Sequence, residues 1–256
     1  MLKNILAISK NTFRETVRDR ILLSVFFVII AMIVFTLFIA SISLEQSTRM
    51  IIDFSTTAIY ALQIFVAIFI GSMLIYKEIE RKTFYLLLPK PITQTEVIIG
   101  KCLGLTLTTV VVTLLSTIVL FIILFLKGGQ LFFWPILISV FMSTLEAILL
   151  ILVSILFSGI TSPILASVTT VVIFIIGHAD GIFRYMFMTT KIPIVAAVTK
   201  TVYYVFPNLE KFNTRNDIIH GITPSYTVIA VTILYALSYA LLLLVITQIT
   251  FRKKDY

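Results

Sequence analysis

Few side chains in this sequence could do chemistry, and most of those that could lack partners. There are two histidines and a single cysteine. With no His-Glu-x-x-His and no cysteine pair, metal or thiol catalysis has no constellation to stand on. Cys102 opens an apolar run and reads as a buried, inert thiol. His178 and Asp180, in Gly177-His178-Ala179-Asp180-Gly181, form a weak pair that could hold a metal ion or a proton. More often such residues simply occupy the wet headgroup zone at a span end. Nor does the chain carry a P-loop. Gly100-Lys101 is its one Gly-Lys pair, but Thr95 stands where the first glycine is needed and Cys102 where the Ser or Thr is needed. The remaining acid of interest is Glu146, alone in an uncharged run. A carboxylate there costs several kcal/mol unless it is paired, protonated or facing water, which points to a transport or helix-packing role. The other expected spans offer no cation at its depth, so its partners would be Ser, Thr or Tyr hydroxyls, or the acid would be neutral.

The densest polar stretch of the first half is Lys77–Lys101, KEIERKTFYLLLPKPITQTEVIIGK, with five cations, three anions and two prolines. Lys77, Glu78 and Glu80 continue the preceding apolar run as a charged helical turn. Thr83, Phe84, Tyr85 and Leu87 make an apolar ridge too greasy for a free loop. Pro89 and Pro91 break the chain twice. Thr93-x-x-Glu96 then reads as a capping box that starts a helix. The product is a short helix presented between two spans, where it can touch something outside the membrane or rest on lipid.

These residues need an apolar frame to position them. The chain has 256 residues, 59% hydrophobic and 12% charged, with a mean hydropathy of +1.11. Soluble domains carry roughly 25% charged residues. The expected fold is therefore an all-α integral membrane protein, one domain over 1–256 with no room for a separate soluble one. Six spans are expected at 21–44, 54–76, 102–126, 132–157, 162–179 and 226–251. The fifth is short for a span. The 180–225 connection, interrupted by Pro193, Lys200 and Pro207, reads as re-entrant or interfacial helices on the outer face. Residues 1–20 read as an amphipathic helix in the membrane interface. Leu2, Ile5, Leu6, Phe13 and Val17 form its apolar side, and Lys3, Lys10, Arg14 and Arg18 its basic side. The first apolar run is too long, and lacks the cleavage site, for a secretory signal.

Six spans put both termini on one side. The N-terminal flank, the 77–101 segment and the C-terminal tail hold thirteen Lys and Arg, against seven elsewhere. The positive-inside rule makes that side cytoplasmic. The net charge of +8 is then explained by anionic lipid, with no need for nucleic acid.

Taken together, the pieces resemble a known family. Lys77-Glu78-x-Glu80-x-x-Thr83, then Leu87-Leu88-Pro89-Lys90-Pro91-Ile92-Thr93, then Gly100-Lys101, is similar to the cytoplasmic signature of ABC-2 type permeases. Asn11-Thr12-Phe13-Arg14-Glu15 resembles the start of that family's elbow helix. Glu146, Phe157-Ser158-x-x-Thr161-Ser162-Pro163 and Phe206-Pro207-Asn208-Leu209-Glu210-x-Phe212-Asn213 resemble the branch found with copper-enzyme maturation systems. Gln94 departs from the arginine often found there. The resemblance implies the membrane half of an ATP-driven exporter in an inner (plasma) membrane. Two permease copies would pair, and two separate ATPase subunits would bind ATP and Mg, leaving no cofactor in this chain. The 77–101 segment would be the coupling helix, and Phe13, Arg14, Val17 and Arg18 would belong to the elbow. An ATP-independent carrier would place polar residues in several spans, and here Glu146 stands alone. A membrane anchor or sensor would use the same presented helix without transport.

Overall fold

The computed structural model describes residues 1–42, 47–74, 93–219, 222 and 224–252. Every regular element among them is helical. Helix α1 (Leu2–Val17) leads into α2 (Arg20–Ile42) and α3 (Ser47–Phe65), which passes through a π-helical turn at Val66–Ile70 and runs on to Leu74. After Thr93 come α4 (Gln94–Leu126), α5 (Phe133–Ser158), α6 (Pro163–His178), α7 (Asp180–Thr189), α8 (Pro193–Val205), α9 (Arg215–Ile219) and α10 (Tyr226–Arg252). Among the described residues, five helices are long and apolar enough to cross a membrane. The count is six if α6 and α7, bent by 60° at their junction, form one broken span.

The helices run beyond the apolar stretches that suggest them. Helix α3 begins at Ser47, so Arg49 and Asp53, read from the sequence as part of a polar loop, form its first turns. Helix α4 spans 33 residues, about 50 Å at 1.5 Å per residue, well over the roughly 30 Å of hydrocarbon. Its first two turns therefore project past the 102–126 span. Its start is the expected capping box. Thr93 Oγ1 accepts from the Glu96 N–H at 3.3 Å, and the Glu96 carboxylate accepts from the Thr93 N–H at 2.9 Å. The expected stop and restart at Ser158–Pro163 is also present, with Pro163 opening α6.

Small residues let the helices close on one another. Gly71 and Ser154 touch where α3 meets α5. Ser72 Oγ lies 2.6 Å from Ser167 Oγ of α6, and Ser158 Oγ donates to the Ser72 carbonyl at 2.6 Å. Phe251, near the end of α10, packs its ring directly on Gly159. Lys101 of α4 donates to the Leu74 carbonyl at 3.4 Å. The ends of α3 and α10, the α5–α6 turn, and the starts of α1 and α4 thus gather at one end of the bundle, from Met1 to Arg252, the last described residue.

Candidate functional site

Two constellations occupy this frame. The first is at the terminus-bearing end, where α1 lies along the start of α4. The face of α1 that docks is a stripe of Ile5, Ser9, Thr12 and Thr16, and of the apolar stripe expected from the sequence Ile5 alone is among its buried residues. Leu2 and Leu6 stay 77% and 64% exposed, Phe13 and Val17 are half-buried, and Arg14 and Arg18 are exposed. The reason lies on α4. Gly100 and Gly104 clear a groove one turn apart, and a Cβ there would come within 2.8 Å of Ile8 Cβ and 2.6 Å of Thr12 Cβ. Such close approach favours small side chains opposite Gly104, while Ile8 covers Gly100. Helix α1 therefore has three stripes: small residues on α4, then apolar residues, then cations. Glu96 fastens its beginning. The carboxylate accepts from Asn4 Nδ2 at 3.4 Å and lies 3.4 Å from the Met1 amine. Glu96 sits outside the 102–126 span, and the Thr93 N–H, with help from Asn4 and the amine, holds its carboxyl below the usual range. Of the expected coupling residues, Thr93 is seen as this cap. Lys77, Glu78, Glu80, Thr83, Phe84, Tyr85, Leu87, Pro89 and Pro91 lie outside the described residues.

The second constellation is at the middle of the bundle. Glu146 is the fourteenth of 26 residues in α5, about 20 Å from either end, and fully buried. It does meet a hydroxyl. Tyr60 of α3 donates to Glu146 Oε1 at 2.7 Å and lies 3.2 Å from His178 Nε2 of α6. His178 Nε2 is 3.5 Å from the same carboxylate oxygen, and its Nδ1 is 3.1 Å from the Phe174 carbonyl. His178, the last residue of α6, thus lies beside Glu146. Asp180 does not join it: the chain bends at Ala179, and Asp180 begins the next helix. Among the described residues no three His, Cys, Asp or Glu side chains gather as a metal site.

A cation reaches this cluster from outside the spans. The Arg215 guanidinium lies 3.7 Å from the Tyr60 ring centroid, and its Nε–H donates to Asn213 at 3.3 Å. Asn213 in turn donates to Glu210 at 3.1 Å. The segment carrying them is pinned to the bundle. Leu209 and Phe212 are buried, the Leu209 N–H donates to the Gly177 carbonyl at 3.0 Å, and the Asn208 N–H donates to the Tyr235 hydroxyl at 2.8 Å. A Cβ on Gly177 would meet Leu209 at 2.6 Å, so a glycine lets the segment seat. One turn along α3, Gln63 donates to Thr113 of α4 and Thr144 of α5 at 3.2 and 3.0 Å. Among the described residues no group reaches Glu146 Oε2 or Gln63 Oε1.

Sequence reasoning missed Tyr60, Arg215 and the docking stripe of α1. The stripe had a signal: small residues at positions 9, 12 and 16 match the helical spacing of Gly100-x-x-x-Gly104.

A family model described as "ABC-2 family transporter protein" matches residues 6–256. The chain belongs to the ABC-2 transporter family. No curated protein matches it. As an ABC-2 permease it is a multi-pass membrane component of an ABC transporter, a kind of subunit that is typically not itself catalytic and generally works with ATPase subunits. Both constellations are therefore features of a membrane permease.

Proposed function

We propose that this chain is the permease subunit of an ATP-driven exporter, pairs with a second copy, and docks a separate ATPase through its 77–101 segment. ATP and Mg bind in that partner. The observation that carries the reading is how the segment's flanks are fastened. Leu74, before it, is bonded to Lys101 of α4 at 3.4 Å. Thr93, after it, caps the same helix, and Gly100 and Gly104 of that helix hold α1. A push on the segment would thus move the end of α3, the start of α4 and α1 as one body. In this reading α1 is the elbow helix, with Leu2, Leu6, Phe13 and Val17 toward lipid and Arg14 and Arg18 toward anionic headgroups. The cation balance supports a cytoplasmic side for both termini and the segment. Nearly uncharged spans favour a hydrophobic or large flexible cargo, moved outward.

The test is co-purification. The tagged chain, extracted from its native membrane, is expected to bring a soluble ATPase whose hydrolysis changes when the 77–101 segment is altered. Recovery of the chain without any ATPase would refute the docking role. Recovery with an ATPase whose turnover is indifferent to the segment would favour an anchor or sensor.

A further inference from the structure

The hydrogen bonds at the centre of the bundle do not balance without an extra proton. Tyr60 has one hydroxyl proton, and it faces two acceptors, Glu146 Oε1 at 2.7 Å and His178 Nε2 at 3.2 Å. His178 Nδ1 faces the Phe174 carbonyl at 3.1 Å. A carbonyl only accepts, so Nδ1 carries a hydrogen. In a neutral imidazole Nε2 is then a bare lone pair. If Tyr60 donates to Glu146, that lone pair points at the phenol oxygen and, 3.5 Å away, at the carboxylate. If Tyr60 donates to His178, a fully buried carboxylate has lost its one hydrogen bond, since no described group reaches Glu146 Oε2. One added proton resolves both cases. Placed on Nε2, it makes an imidazolium that pairs with Glu146. Placed on the carboxyl, it lets the acid donate to Tyr60 and Tyr60 donate to His178.

The charged groups around the cluster agree. From α3 comes Tyr60, from α6 His178, and from beyond the bend Asp180 opens α7. Arg215 and Glu210, from the 207–219 segment, bear electrostatically on Glu146. Yet Arg215 lies on the Tyr60 ring and bonds Asn213; no ion pair joins it to Glu146 among the described residues. An ionised carboxylate would be the stronger partner for a guanidinium than an aromatic ring.

We infer that Tyr60, Glu146 and His178 form a proton-binding site at the middle of the permease, with Arg215 as the cation that competes with the proton. With the proton bound, Arg215 rests on the aromatic ring. When the proton leaves, Arg215 pairs with Glu146 and draws the 207–219 segment deeper into the bundle. His178, with 21% of its side chain exposed, is the route of exchange. The site binds a proton or the chain's own arginine and requires no outside ligand.

The test uses the full chain in lipid bilayers, in two measurements at neutral pH. Nitrogen NMR of histidine-labelled protein reads the protonation of His178. There are two histidines, so loss of a signal in either H178Q or H220Q assigns both, and one misfolded variant does not end the experiment. Infrared spectroscopy reads a protonated carboxyl that disappears in E146Q. The expected result is one of the two signatures, an imidazolium or a neutral carboxylic acid. A neutral imidazole beside an ionised Glu146 overturns the site. Competition is read in R215Q, where loss of the signature is expected to move upward by about one pH unit. An unmoved titration overturns the exchange with Arg215.

Discussion

Adding one carbon at Gly104 separates a tight helix crossing from a loose one. A Cβ there would sit 2.6 Å from Thr12 Cβ, 2.7 Å from Thr12 Cγ2 and 2.8 Å from the Ser9 carbonyl oxygen. Ordinary carbon contacts lie near 3.5–4.0 Å, so α1 must withdraw by about 1 Å. The Ser9 oxygen is backbone and cannot rotate away, so the whole helix has to shift. Overpacking of this kind costs about 1–3 kcal/mol, while replacing Gly by Ala inside a helix returns about 1 kcal/mol. Gly104→Ala is therefore expected to lose about 1 kcal/mol net, and Gly104→Leu to undock α1. Gly181→Ala is the control. Its Cβ meets nothing within 4 Å, so the helix preference stands alone and the protein gains up to about 1 kcal/mol. Thermal unfolding of the three variants in nanodiscs gives the order. Labelling of Ser9→Cys, a position only 8% exposed, reports the docking itself. It is expected to be slow in the otherwise native chain and fast with Gly104→Leu. A Gly104→Ala protein as stable as its parent, or a Ser9→Cys that stays protected beside Gly104→Leu, would refute the close crossing.

Four further outcomes are expected. Phe84→Asp with Leu87→Asp should abolish recovery of the ATPase while leaving membrane insertion intact; wild-type recovery would sink the docking ridge. A cysteine at Thr95 should resist an impermeant thiol reagent added outside intact cells, and its prompt modification would reverse the orientation. Thr93→Ala should cost roughly 0.5–2 kcal/mol, read as faster hydrogen exchange in the first turn of α4. The same turn should be pH-sensitive. Because Glu96 is held below the usual carboxylate range, its contribution is present at neutral pH and fades as the pH falls below about 4.3 toward the folded-state value. Exchange that is unaltered by Thr93→Ala would mean that the box does not stabilise the helix start.

The parts legible in the sequence are those written in neighbouring residues. Thr93 and Glu96 are three positions apart, and the cap they predict is present. Long apolar runs gave the spanning helices, and Pro163 after Ser158–Gly159 gave the turn. What was not legible depends on contacts across the fold. Tyr60 and Glu146 are 86 residues apart, and nothing local to either marks the pair. Arg215 belongs to the 180–225 connection, so a search for cations within the spans passes over it. Helix α1 misleads for a different reason. Apolar periodicity picks out a side whose Leu2 and Leu6 stay exposed, whereas its docked side holds Ser9, Thr12 and Thr16, which only gain meaning opposite Gly100 and Gly104.

The fastening of α1 also constrains how the protein is made. Asn4 meets Glu96 across 92 positions, so the groove that receives α1 does not exist until α2, α3 and the first turns of α4 have left the ribosome. Through that interval the newborn helix needs another place to rest. Its Leu2, Leu6, Phe13 and Val17 stripe, with cations beside it, suits the surface of the bilayer. The small-residue stripe is idle until α4 inserts. Helix α1 would therefore rest on lipid alone during synthesis and gain Gly100-x-x-x-Gly104 as a second host afterwards. Its third, cationic stripe can keep it at the membrane surface through the transfer.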